Sequence, residues 1–134
     1  MPTLIRRSES ATTTDRRRGV RGTVGWEVTS GGWSPPTDLF ERTDEYVVRV
    51  EIAGMHEADF EVVYANGVLV ISGQRPDQDQ RRAYHQMEIH FGKFSSAVAL
   101  PGPVDLDHSQ AEYRNGFLVV TLPKAKGVDV KIEE

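Results

Sequence analysis

Residues 115–124 read NGFLVVTLPK, which predicts a tight turn followed by a strand of the protein core. Asn-Gly is a strong hairpin signal, because both central residues of a type I′ turn need positive φ. The run from Phe117 to Leu122 is rich in β-branched and aromatic residues, so we expect a fully buried strand that is covered on both faces. Pro123 then ends the strand, because proline cannot donate to the ladder.

The same pattern occurs a second time upstream, where residues 66–73 read NGVLVISG. Each Asn-Gly turn is followed by an apolar run of strand length. Two such hairpins predict the inner strands of a β-sandwich.

Other segments show the two-residue period or the turn boundaries that are typical of strands. Residues 45–53 alternate between apolar and charged side chains, and residues 93–100 place Phe94, Ser96, Val98 and Leu100 on one face. Residues 37–42, 60–64 and 106–114 complete the set, and no segment shows a helical pattern. About eight short strands at a spacing of roughly 8–12 residues predict an all-β antiparallel sandwich.

Composition limits the class of protein. The chain has 134 residues, which is enough for one domain with a real core. It has no cysteine, so it can form neither a disulfide nor a thiolate metal site. No apolar run approaches the roughly 20 residues of a membrane-spanning helix, and the start lacks the apolar core of a signal peptide. These features predict a cytoplasmic protein.

The chain divides into three predicted parts: an N-terminal arm at 1–36, a domain at 37–124 and a tail at 125–134. The arm is rich in glycine, threonine and serine, so we expect it to be disordered or weakly ordered. It holds six basic and three acidic residues, whereas the remainder carries a net charge of −7 within a total of −4. An acidic body argues against nucleic acid as a partner, because phosphate binding needs a positive face.

The arm contains both tryptophans of the chain, Trp26 and Trp33. They could pack locally on the domain, or they could be exposed contacts for other chains. The second alternative makes them candidate client contacts.

No motif for catalysis is present. The sequence lacks a glycine-rich phosphate loop, a nucleophile elbow and an HExxH motif. Its four histidines are not spaced as a metal site. We therefore predict a protein that is not an enzyme and that binds no cofactor or metal.

Five short motifs in order resemble the small heat shock proteins, the Hsp20/α-crystallin family, in their bacterial form. The most specific is AEYRNGFL at 111–118, which fits A-x-x-x-N-G-x-L and leads into LPK at 122–124. Upstream, PTDLFE at 36–41, YVVRVEIAG at 46–54, NGVLVISG at 66–73 and FGKF at 91–94 also match the family pattern.

The resemblance implies an immunoglobulin-like antiparallel sandwich of seven to nine strands, the α-crystallin domain. It also implies an ATP-independent holdase, which binds partly unfolded client proteins under stress and prevents their aggregation. The expected partners are such clients and further copies of the chain, in a dimer or in a larger homo-oligomer. A membrane is not an expected partner.

The family's mode of dimerisation gives the long polar loop at 74–91 a role. In the bacterial branch this loop carries a short strand that pairs with the first strand of a partner. A local hairpin on the chain's own domain is the alternative. The residues implied in strand exchange are Tyr84, His85, Gln86, Met87, Glu88 and Ile89, received at Leu39 and Phe40.

The family's tail usually carries two isoleucines or valines, two residues apart, that fill an apolar groove on a neighbouring dimer. Val130 and Ile132 have this spacing, but an alignment that starts the motif at Ile132 places Glu134 at the second position. Both alignments remain open. The implied accepting groove is formed by Phe60, Val62, Tyr64, Ala111 and Tyr113.

Other functions compatible with a β-sandwich are a co-chaperone of the p23/CS type, a carbohydrate-binding module and a nucleic-acid binder. A p23-type domain lacks the exchanged strand, so the loop at 74–91 argues against it. Carbohydrate sites usually present exposed aromatic platforms on loops, and the loops here have few.

Overall fold

Two four-stranded sheets face each other in the computed structural model, which describes residues 5–7, 32–77 and 82–126. The strands are β1 Ile5–Arg7, β2 Thr37–Glu41, β3 Glu45–Glu51, β4 Phe60–Ala65, β5 Val68–Arg75, β6 Gly92–Ala99, β7 Gln110–Arg114 and β8 Phe117–Pro123. Single 3₁₀ turns at Glu57–Asp59 and Leu106–His108 are the helical elements of the described ranges. No helix in these ranges has the length and apolar character needed to cross a membrane.

One sheet has the order β1-β4-β5-β6 and the other the order β2-β3-β8-β7. All pairings are antiparallel except that of β1 with β4, which is parallel. The strands β5 and β8 each lie between two others, which confirms that the two Asn-Gly hairpins supply inner strands. The predicted all-β sandwich is therefore confirmed.

Both hairpin turns have the backbone conformation that their sequence predicts. Asn66 and Gly67 have φ of 56° and 83°, and Asn115 and Gly116 have φ of 54° and 84°. Positive φ at both central residues is the requirement of a type I′ turn, which matches the twist of the flanking strands. These turns connect β4 to β5 and β7 to β8.

The core lies between the sheets and consists of alternate residues of the strands. Leu118, Val120 and Leu122 of β8 have no solvent exposure. The prediction that this strand is covered on both faces is wrong, because Phe117 is 39% exposed and the outer residues of β8 are only partly buried. A two-layer sandwich leaves the outer face of each sheet without a covering layer, so even a central strand is half-buried.

Three boundaries of the folded unit and its strands differ from the sequence-based prediction. The strand β5 continues to Arg75, two residues into the predicted polar loop. Trp33 forms a bridge with Phe94 of β6, so the folded unit includes residues before position 37. The strand β1 has no counterpart in the prediction, which treated its residues as part of a weakly ordered arm.

The sandwich has two lateral sides, which we name by the strands that face each other there. On the β2/β6 side, the hydroxyl groups of Thr37 and Ser96 lie 2.8 Å apart and link the two sheets. On the β4/β7 side, the rings of Phe60 and Tyr113 are 5.0 Å apart between their centroids. The residues proposed for dimerisation and for tail binding thus fall on opposite sides of the domain.

Candidate interaction surfaces

Residues 82–91 form an exposed apolar segment on the β2/β6 side. In the single chain they form no strand, and every one of them is exposed. Met87 and Ile89 are 62% and 64% exposed, and Tyr84 and Phe91 are also exposed large side chains. The segment includes all of the residues expected in the exchanged strand: Tyr84, His85, Gln86, Met87, Glu88 and Ile89. Neither a strand nor a local hairpin forms there in the single chain.

The strand β2 forms the edge that the sequence assigns as the receiver. It pairs with β3 along one side, and it is the terminal strand of its sheet among the described residues. Leu39 shares its face with Thr37, which bonds across to the other sheet, yet Leu39 is 36% exposed. An inward apolar side chain thus remains uncovered at this edge.

The outer face of β2 is covered by cations. The guanidinium carbon of Arg49 lies 5.3 Å from the centroid of the Phe40 ring, and that of Arg42 lies 5.6 Å away. Arg49 also donates a hydrogen bond of 2.8 Å to Asp38. These contacts hold Phe40 on the side of the strand opposite to Leu39, so only Leu39 is directed toward the β2/β6 side of the sandwich.

Arg75 anchors the point at which the exposed segment returns to the domain. Its Nε donates a hydrogen bond of 2.9 Å to the carbonyl oxygen of His90, and its Nη2 donates a second one to the same oxygen. Its Nη1 donates a hydrogen bond of 3.2 Å to the carbonyl oxygen of Ala53. Its guanidinium carbon lies 4.5 Å from the Trp33 ring centroid and 5.3 Å from that of Phe91. The sequence does not predict this role, since an arginine beside a polar loop carries no signal that separates it from a solvated one.

Arg75→Ala is expected to release this anchor. Loss of three hydrogen bonds from a charged donor and of two cation–π contacts is expected to weaken the proposed dimerisation about tenfold. Hydrogen exchange at residues 89–92 and sedimentation velocity across a dilution series measure the two effects. Arg114→Ala, which removes an exposed arginine from β7, is the matched control. Exchange and dimer affinity equal to those of the parent chain would contradict the anchoring role.

The five residues of the implied tail groove come together on the β4/β7 side, but within the core. Phe60, Val62 and Ala111 are buried, while Tyr64 and Tyr113 are half-buried and pack against the core. The Tyr113 hydroxyl donates a hydrogen bond of 2.8 Å to the carbonyl oxygen of Ile52. These residues form the wall of the sandwich at this side, and what a tail could reach is the edge of β4.

The strand β1 pairs with β4 along the edge that faces away from β5. The two strands run parallel, with Ile5 opposite Val62 and Arg7 opposite Tyr64. Ile5 is half-buried and packs against the core cluster. The chain's own N-terminal strand, β1, thus lies on the side of the domain where the family resemblance implies that the tail of a neighbouring copy binds. Val130 and Ile132 lie outside the described residues, as does Trp26.

Comparison with known proteins decides the family. Residues 38–133 match the sequence profile of the Hsp20/alpha crystallin family. The chain belongs to this family. Its members are small heat shock proteins with a chaperone role under stress, which form oligomers and bind client proteins.

Individual relatives agree with this assignment. Small heat shock protein C2 of Rickettsia felis is 32% identical over 102 residues, which cover 74% of this chain and 66% of that protein. Heat shock protein 16 of Schizosaccharomyces pombe is 35% identical over 105 residues, covering 75% and 73%. A solved small heat-shock protein from Xylella fastidiosa has a TM-score of 0.65 at 28% identity, and the match covers 77% of this chain and 97% of that one.

Trp33 is part of the surface of this α-crystallin domain. Its ring stacks on His90 at 5.1 Å between centroids and lies 5.7 Å from Phe94. Its Nε1 is buried and has no hydrogen-bond partner. Trp33 therefore packs on its own domain, which was the first of the two alternatives. A contact between clients and the exposed part of Trp33 stays a prediction.

Two cations of the α-crystallin domain are held by partners near the β2/β6 side. Lys124 donates a hydrogen bond of 2.5 Å to Glu41, and this bond raises the pKa of Lys124. A hydrogen bond with Tyr84 raises the pKa of Arg82, which also pairs with Asp77. Both side chains stay charged at neutral pH. Within the described ranges, no group of three histidine or acidic residues has the arrangement of a metal site.

Proposed function

We propose that this chain is an ATP-independent holdase that works as a homodimer built by strand exchange. The observation that carries the proposal is the distribution of exposed apolar side chains. Among the described residues, the exposed large apolar side chains other than Phe117 lie in β2 or in the segment 82–91: Leu39, Tyr84, Met87, Ile89 and Phe91. Exposed large apolar side chains concentrated in two segments support an interaction site there.

Strand exchange would cover both parts of this surface, the edge of β2 and the segment 82–91. Among the described residues, β2 is the last strand of its sheet, and residues 83–89 are exposed and form no strand. Pairing the segment of one copy with β2 of another would cover Leu39 with an apolar strand. Two-fold symmetry repeats the contact, so each dimer contains two exchanged segments.

Client binding in this proposal is an equilibrium association and needs no nucleotide. Aggregation begins when apolar segments or strand edges of unfolded chains meet, and a holdase competes for those surfaces. The net charge of −7 on residues 37–134 keeps the loaded complex soluble through mutual repulsion. The arm, with Trp26 and Trp33, is the proposed client contact.

Larger assembly is proposed to use the tail at Val130 and Ile132. Residues two apart in an extended segment share one face, so both side chains could enter a groove together. The related Xylella fastidiosa protein is described as having a distinct high order structure. We propose that the dimer is the basic unit of this chain, and that it also forms larger homo-oligomers through the tail.

Light scattering of a heat-labile enzyme, with and without this chain and with no nucleotide present, tests the holdase. We expect suppression near one dimer per client, and no further effect of added ATP. An unrelated acidic protein of similar size at equal mass is the control for crowding and charge. A chain that stays folded by circular dichroism and yet fails to suppress scattering would contradict the proposal and would favour the p23-type co-chaperone.

A further inference from the structure

The edge of β4 has two candidate occupants that belong to the same polypeptide. One is β1, which the structure places there in parallel register. The other is the tail segment around Val130 and Ile132, which the proposed function docks on the same edge of another copy. A strand edge has a single row of free backbone groups, so it can pair with one of these segments at a time.

We propose that β1 is an internal competitor of the tail: Ile5–Arg7 of each chain closes the β4 edge and limits assembly beyond the dimer. Tail docking then requires that β1 leave, and the assembly size reflects the balance between the two segments. This inference rests on the proposed role of the tail.

The apolar contact of β1 is weaker than the one that a tail could make. Ile5 of β1 packs against the core cluster and lies opposite Val62 of β4. The tail offers two apolar side chains on one face, Val130 and Ile132. On apolar area alone the tail would displace β1.

Charge favours β1. The sequence places Arg6 and Arg7 in β1, whereas Glu133 and Glu134 follow the tail motif. The body that both would join is acidic, with a net charge of −7 for residues 37–134. Attraction thus opposes the apolar advantage of the tail, and salt weakens that attraction. Raised ionic strength is expected to favour the tail.

Covalent connection also favours β1. Pairing of β1 with β4 is intramolecular, so its free energy does not depend on the concentration of the protein. Docking of a tail from another copy becomes more favourable as the concentration rises. The structure therefore predicts dimers at low concentration and larger particles at high concentration, with the crossover set by the stability of the β1–β4 pair.

A labelled peptide measures the competition directly. Fluorescence polarisation follows a fluorescein-labelled peptide of residues 125–134 as it binds the full chain and the Ile5→Asp variant. Ile5→Asp removes the apolar contact of β1 and adds charge that the acidic body repels, so we expect the peptide to bind about tenfold more tightly. Val20→Asp makes the same kind of change in the arm outside β1 and should bind the peptide as the parent does.

Hydrogen exchange gives a second measurement that does not depend on the peptide's label. In the parent chain, the β4 amides that face away from β5 should be protected, and Ile5→Asp should expose them. Adding unlabelled peptide should restore the protection. A chain that lacks residues 2–7 should repeat both results.

Each outcome decides the inference. Equal peptide affinity for the parent, Ile5→Asp and Val20→Asp would refute competition and leave tail docking intact. No binding to any of them would remove the tail's role at this edge, and with it the inference. Protection of β4 that disappears on dilution of the parent would show that β1 comes from another copy, which would overturn intramolecular closure. Client suppression, measured separately, tests the holdase itself.

Discussion

A chain that carries Met87→Ser and Ile89→Ser is expected to be a monomer at micromolar concentrations at which we expect the parent to be a dimer. Both side chains are more than 60% exposed in the single chain, at 62% and 64%, although they are among the most apolar residues of the surface. Positions two apart in a strand share one face, so the two would enter the dimer interface together. Serine keeps the backbone able to pair and removes only the apolar contact.

The size of the effect follows from symmetry. Each substitution occurs twice in the dimer, so four apolar contacts are lost. If each contributes about 1 kcal/mol, which is below the value for complete burial, the dissociation constant rises roughly a thousandfold. Sedimentation velocity or light scattering over a dilution series is sensitive to a change of this size.

The same segment supplies the matched control. Gln86→Ser with Glu88→Ser makes two serine substitutions on the opposite face of the strand and should leave the dimer affinity nearly unchanged. If both double variants stay dimeric, these side chains do not form the interface. If both become monomeric, the backbone of the segment, rather than its apolar face, controls exchange.

The central part of the fold could be predicted because local signals and tertiary packing agree there. The two Asn-Gly turns fix hairpins by their backbone conformation alone, and the two-residue period of residues 45–53 identifies the core face of β3. The family resemblance added that the strands of Phe60 and Tyr113 lie side by side, which short-range patterns do not contain.

The features that could not be predicted depend on long-range contacts. The strand β1 contains Ile5 and two arginines, and nothing in so short a run signals that it pairs with an edge more than fifty residues away. The role of Arg75 depends on the meeting of Trp33, His90 and Phe91 around it. The wrong prediction that both faces of β8 are buried has another cause. A run of apolar residues predicts a strand but does not indicate how many layers cover that strand.

Leu118→Ala is expected to lower the free energy of unfolding by about 2–5 kcal/mol. Leu118 has no solvent exposure and lies in the central strand β8, paired with Val50 on one side and Tyr113 on the other. Few neighbours at the centre of the core can move into the space that the substitution leaves. For a domain of roughly 100 residues the midpoint of thermal unfolding should fall by about 10–25 °C, which calorimetry or circular dichroism measures.

Val119→Ala is the control for this prediction, since Val119 is the next residue of the same strand and is only partly buried on the outer face. It should cost less than about 1.5 kcal/mol. Similar losses for the two variants would mean that the outer face of this sheet is covered in the assembled protein.

Leu118→Ala also separates stability from chaperone activity. The chain has no cysteine, so aggregation of a disulfide-containing client can be started with a reductant at 25 °C without any chemical change in the chaperone. The expected loss of about 2–5 kcal/mol is smaller than the roughly 5–15 kcal/mol of a typical native protein, so we expect the variant to be folded at 25 °C and to suppress aggregation as the parent does. Its activity should be lost on heating, at its own lowered midpoint. Loss of activity already at 25 °C in a folded variant would mean that the packing around Leu118 acts directly in binding clients or in forming the dimer.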